Sequence, residues 1–191
     1  MKTLNILLIA SAIAVAKPQS AKEAAPATTQ AGHLSKSDPA ASAHFQIGIG
    51  KLYEGYLNIQ QALAKDDFKE SKTGALSLFG LLKAVPATGL DKSTKSRWDS
   101  SAVSMIQVQH FMTASKDIAE MRKHFSELTP LLAGALEKYG AKTNGPVYLF
   151  HCPMHGPHGS DWMQKSKITA NPFFGQSMPE CGSLVREVKA K

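Results

Sequence analysis

The residues best suited to chemistry crowd one C-terminal window. It opens with His151-Cys152-Pro153-Met154-His155-Gly156-Pro157-His158 and is answered by Met178-Pro179-Glu180-Cys181-Gly182. Both cysteines of the chain lie there, with three of its seven histidines and, counting Met163, three of its seven methionines. Thiolate, thioether and imidazole are soft to borderline ligands, which select copper(I), and less specifically zinc, over hard cations. Cys152 and Met154 are two residues apart, a spacing that puts both side chains on one face of an extended strand. Met178 and Cys181 are three apart, the reach of one helical turn or tight loop. Two Cys/Met pairs converging on one point would offer copper(I) three or four sulfurs. Zinc would take the two cysteines with His155 and His158 and leave the methionines unused. The candidate metal ligands are therefore Cys152, Met154, His155, His158, Met178 and Cys181. Cu(I) is the first expectation for the metal and Zn the second.

A competing use of the thiols is a Cys152–Cys181 disulfide. It would close a loop of roughly thirty residues and contribute about 3–4 kcal/mol. Reduction would restore the thiolates, which are good ligands where a disulfide sulfur is a poor one. Catalysis is not the expectation. Adjacent residues of a strand face opposite sides, so His151 is badly placed to act as a base for Cys152. The chain also has no Cys-x-x-Cys, no Ser/His/Asp pattern and no evident carboxylate pair.

The N-terminus reads as an export signal. Met1-Lys2 is a short basic start, Leu4 to Ala16 is apolar apart from Asn5 and Ser11, and Ala14-Val15-Ala16 forms an Ala-x-Ala cleavage site. The apolar run is too short to span a bilayer. The expectation is a signal peptide over 1–16 and an exported, periplasmic protein with no stable membrane insertion after cleavage. Removal of the signal leaves 175 of the 191 residues and takes the formal charge from +7 to +6. That charge is spread out and lacks interleaved aromatics, which speaks against a nucleic-acid partner. Residues 17–43, rich in Ala, Ser, Thr, Pro, Lys and Gln, read as a disordered linker.

The elements that must position the window come next. Phe45, Ile49, Leu52, Tyr53, Tyr56, Ile59 and Leu63 fall at three- and four-residue steps, one stripe of an amphipathic helix. Asp66 and Asp67 offer an N-cap for a second helix whose stripe is Ala75, Leu78, Phe79, Leu82 and Val85, ended by Pro86. A third helix spans about Ser96 to Ala114, with Trp98, Ala102, Met105, Gln109 and Met112 on one face. A fourth starts at Asp117, turns Ile118, Met121, Phe125, Leu128, Leu132, Ala135 and Tyr139 inward, is expected to kink or restart at Pro130, and ends at Gly140. Met105, Met112 and Met121 at this spacing are core filler, and His110 and His124 are partly exposed structural residues, although Met121 and His124 are close enough in sequence for a second site. Trp162 is expected in the core of the C-terminal segment. The fold expectation is mainly α: an antiparallel four-helix bundle with a mostly irregular Cys/Met/His-rich C-terminal segment. Bundle and segment occupy 44–185, with the metal segment at 147–183. Val147 to Phe150 should be extended, Ser160 to Ile168 a short polar helix, and 186–191 a basic tail.

Those residues also carry a resemblance. Val147-Tyr148-Leu149-Phe150-His151-Cys152-Pro153-Met154, then Asp161-Trp162-Met163-Gln164, Ile168, Asn171-Pro172-Phe173-Phe174-Gly175, Met178 and Cys181-Gly182 follow in order. Together with the helical Asp117-Ile118-Ala119-Glu120-Met121-Arg122-Lys123-His124-Phe125, they resemble a bacterial periplasmic family of domains of unknown function. Its members occur as secreted single domains or appended to the adaptor subunits of heavy-metal efflux pumps. The resemblance covers roughly residues 48 to 185. It implies metal handling, with Cys152, Met154, Met178 and Cys181 as carried-over ligands. It also implies a metal efflux adaptor, or another periplasmic copper protein, as partner. His155-Gly156-Pro157-His158 is richer in histidine than the family's stretch and is similar to the Cys-Pro-Met-His-Pro of short heavy-metal-binding domains. The functional expectation is a periplasmic copper chaperone or buffer linked to metal resistance. The alternative is an interaction module that docks on an efflux adaptor, with the cysteines as a structural disulfide.

Overall fold

The computed structural model describes residues 39–190. The signal-peptide assignment, and the linker assignment as far as residue 38, fall outside the described residues. Four helices come first: α1 Pro39–Ala64, α2 Phe68–Ala84, α3 Lys92–Ala114 and α4 Ile118–Tyr139. Three strands follow: β1 Tyr148–Cys152, β2 Ser160–Gln164 and β3 Ser183–Glu187, with a 3-10 turn at Gly175–Ser177. Residues 39–43, expected in the linker, form the first turn of α1. Among the described residues no helix is long and apolar enough to cross a membrane.

The helices form where side-chain periodicity and caps agree. All seven residues of the α1 stripe are buried. Asp67, Asp91 and Asp117 each cap a helix by accepting from the backbone N–H three residues on, at Glu70, Thr94 and Glu120. Gly140 closes α4 with φ 75°, a conformation that costs glycine little. Consecutive helices pack on one another, and α1 also touches α4. Met105, Met112, Met121 and Trp162 are in the core, as their spacing suggests. Three details differ from expectation. α3 starts at Lys92 under the Asp91 cap, four residues before Ser96. Phe79 lies outside the buried stripe of Ala75, Leu78 and Leu82, half-exposed under the Lys83 ammonium. α4 does not restart at Pro130 but runs through it as one element, with Leu128, Leu132 and Leu136 on either side buried.

The C-terminal segment is turns and loops built around regular strands, not irregular throughout. It forms a three-stranded antiparallel sheet in the order β2-β1-β3. Ser160–Gln164, expected to be helical, is a strand in register with β1, Leu149 facing Met163 and Cys152 facing Ser160. The partner that decides this lies across a turn, not within helical reach, so local spacing misjudged it. The stretch expected as a basic tail carries the end of β3 and then the buried Val188, whose N–H donates to Val147 O.

Sheet and helices are fastened by a few buried polar contacts. Tyr56 of α1 accepts the Met163 N–H at 3.0 Å and bonds Thr129 of α4 at 2.9 Å. The Thr129 hydroxyl donates to Phe125 O, so Tyr56 is the donor in that pair. Burial is the first cause that pushes the Tyr56 phenol far above its ordinary range, so it stays protonated. Gln164, also buried, accepts from Trp162 Nε1 and Ala170 N and donates to Ser166 O and Ile168 O. One glutamine thus shapes the whole turn that follows β2.

Candidate functional site

Cys152 ends the central strand, and Cys181 sits in the turn just before β3. Their sulfurs are 3.6 Å apart, and both are free thiols. Cys152 is fully buried and Cys181 partly so. Desolvation first, and then the neighbouring Cys152 sulfur, push the Cys181 thiol up from its usual range. The two residues are far apart in sequence, and the loop between them is tied down at many points. Asn171 N–H donates to Pro179 O at 3.0 Å and Cys181 N–H to Met178 O at 3.2 Å. Gly182 follows at φ 117°, with a hypothetical Cβ 2.6 Å from Trp162 Cη2 and 2.8 Å from His151 O. Glycine there lets the Cys181 turn lie flat against the indole.

The remaining candidate ligands are placed less centrally. β1 stops at Cys152, and Pro153 and Met154 form a turn. The strand geometry expected to align Met154 with Cys152 therefore ends two residues too early, and Met154 is 63% exposed. Met178 caps the 3-10 turn at 36% exposure, in the same tight turn as Cys181. His155 lies flat on Phe173, ring centroids 4.3 Å apart, with Nδ1 against the Ser160 hydroxyl at 2.8 Å. Burial, and secondarily Arg122, lower its pKa, which favours the neutral imidazole. His158 is on the surface of the same loop. His151 pairs with Asp161 across the sheet at 2.7 Å, apart from the thiols. His110 is exposed, and His124 bonds Glu127 at 3.1 Å while stacking on Phe111.

The donor set can be tested against a metal by its spacing. Two sulfurs bound at about 2.3 Å to one tetrahedral ion stand about 3.8 Å apart. The observed 3.6 Å fits that requirement with little movement. Among the described residues no group of three or more His, Cys, Asp or Glu is assembled in metal-holding geometry. The centre that the fold does assemble is thus a dithiol, with thioethers and one neutral imidazole in the adjoining turns.

Two residues of the site carried no role in the sequence reading. Asn171 is fully buried and bonds Cys152 Sγ at 3.3 Å and Cys181 O at 2.6 Å. Arg122 reaches from α4 to Pro172 O at 2.8 Å, Leu63 O at 3.0 Å and Asp66 Oδ1 at 2.6 Å. Both stand in the sequence segments quoted for the resemblance.

No curated protein and no solved structure matches the chain. A family model described as a protein of unknown function (DUF3347) matches residues 52–144. That span runs from within α1 past the end of α4 and stops before β1, so the chain is similar to this family over its helical part.

Proposed function

We propose that this protein binds copper(I) as cargo in the periplasm, as a buffer or chaperone linked to heavy-metal resistance, without catalysing a reaction. The observation that carries the reading is the approach of the two thiols to 3.6 Å by elements 29 residues apart. Copper(I) accepts few ligands and prefers sulfur. Cys152 and Cys181 would hold it, with Met178 and Met154 closing the site from the surface turns and His155 as an auxiliary ligand. His158 is the outermost of the set. Zinc remains the second metal, drawing on the cysteines with His155 and His158. The helices, read as an antiparallel bundle, would be the scaffold. The companion would be a metal efflux adaptor or another periplasmic copper protein.

The same geometry favours one other reading. The sulfurs need to close by about 1.5 Å to reach the ~2.05 Å of a disulfide. In that case the domain is an interaction module stapled by Cys152–Cys181.

Copper(I) competition against a chelator, on protein purified reduced, separates the two. Stoichiometric binding that disappears in Cys152→Ser/Cys181→Ser supports the copper reading. Binding unchanged in that double variant sinks it. A native mass two hydrogens short, with no metal taken up after reduction, supports the module.

A further inference from the structure

Asn171 spends a buried amide on the two cysteine segments. Its Oδ1 accepts from Phe173 N at 2.7 Å and from Phe174 N at 3.3 Å. Those two donors fix which way the amide points. Nδ2 therefore faces Cys152 Sγ at 3.3 Å and Cys181 O at 2.6 Å. Its backbone is held as well, N–H to Pro179 O and carbonyl to Gly175 N–H. Sulfur is a weak acceptor as a thiol and a strong one as a thiolate. A fully buried donor aimed at sulfur is well used where that sulfur stays reduced.

We propose that Asn171 is the positioning residue that holds the Cys152/Cys181 pair in its dithiol form. The inference rests on the reading above, in which the reduced pair is the working state. Oxidation by a small disulfide such as oxidised glutathione would form one bond, Cys152 Sγ–Cys181 Sγ, and break the glutathione S–S bond. Two electrons leave the cysteines, and their two protons end on two glutathione thiols. To form that bond the sulfurs must close from 3.6 Å to about 2.05 Å. The Cys152 sulfur then loses its capacity for negative charge and becomes a poorer acceptor for the amide. Meanwhile the bond to Cys181 O holds the second segment in its reduced-state position. A contact made by the reduced form and weakened in the oxidised form raises the reduction potential. In an oxidising compartment that bias keeps the thiols available.

The test is a redox titration of the metal-free protein in glutathione buffers, read by thiol alkylation and mass. Asn171→Asp keeps an oxygen for Phe173 N and Phe174 N and replaces the donor with an acceptor. The disulfide-forming equilibrium constant is expected to rise about tenfold, which is about 30 mV toward more negative potential. A constant within twofold of the parent, in a variant that still melts cooperatively, overturns the inference. Should that variant not fold, the unaltered protein decides. One Asn171 side-chain amide proton should exchange faster after oxidation, and equal exchange in both states overturns the proposal. Since neither readout uses metal, a tenfold change without copper binding upholds this inference and sinks the copper reading. Copper binding with no change does the reverse.

Discussion

Arg122 donates from Nε to the carbonyl oxygen of Pro172 at 2.8 Å, so a side chain of α4 grips the residue next to Asn171. The same guanidinium bonds Leu63 O and Asp66 Oδ1, and Asp66 Oδ2 accepts the Gln176 N–H at 2.9 Å. Asp66 adopts a positive φ of 62° to reach this position. Gly175 is packed so closely beneath it that a Cβ would stand 2.1 Å from Asp66 Oδ1. The loop carrying Asn171 and leading to Cys181 is thus clamped to the end of the helical layer.

Arg122→Lys should open the clamp. Lysine keeps the charge but cannot supply the fork that serves three acceptors at once. A loss of about 2 kcal/mol is expected, given the partly buried, charge-assisted bonds. Urea denaturation measures it, and a midpoint equal to the parent's would refute the clamp.

Gly182→Ala should disturb the site from the other side. The new methyl would meet Trp162 and the His151 carbonyl, at a φ of 117° that alanine resists. A destabilisation of about 1–3 kcal/mol is expected. Cys181 should also become more reactive toward an alkylating agent, which a plain stability loss in the folded state would not produce.

Acid should weaken the domain in two separate windows. His155 titrates below its ordinary value when folded, through burial and then Arg122. The unfolded chain therefore binds a proton first, near pH 6.5, and stability declines as pH falls from there through the folded value. Asp66 is lowered by the Gln176 N–H and then by Arg122. Its contribution is whole above about pH 3.8 and is lost as pH falls through the lower folded value. Denaturation curves at pH 7.5 and 5.5 isolate the first window. His155→Gln should flatten it, and an unchanged slope would remove His155 as its origin.

The two surface methionines should differ as ligands. Met178 shares a hydrogen-bonded turn with Cys181, whereas Met154 is the more exposed and lies beyond the end of β1. Met178→Ala is expected to weaken copper(I) about tenfold, and Met154→Ala several-fold less. Chelator competition ranks them, and the reverse order would move the site toward the 153–159 loop.

The helical layer was legible because its signals are local. Phe45 to Leu63 repeats at helical spacing, and Asp67 and Asp117 announce their helices by side-chain chemistry. The sheet was not, because its signals are distant. Ser160–Gln164 becomes a strand through pairing with β1, and β3 is an edge whose residues are all exposed, so no alternation marks it. The thiol pair was foreseen from residue type alone. Its supports were not: Asn171 and Arg122 act on backbone atoms and on sulfur that are near only after folding. The shared strand face expected for Cys152 and Met154 is absent for the simplest reason, that the strand ends at Cys152.

Cys152 belongs to the central strand, while Cys181 belongs to a loop moored to α1 and α4 through Asp66, Gln60 and Arg122. Anything that bridges the two sulfurs therefore removes the freedom of a thirty-residue excursion, about the constraint of a disulfide. Its binding energy would be shared with the mooring, so occupancy and melting temperature should rise and fall together. A loosened bundle would let go of its bridge, and a filled bridge would slow the bundle's opening. Proteolytic resistance of the 165–182 stretch would then serve as a gauge of how much cargo the protein carries.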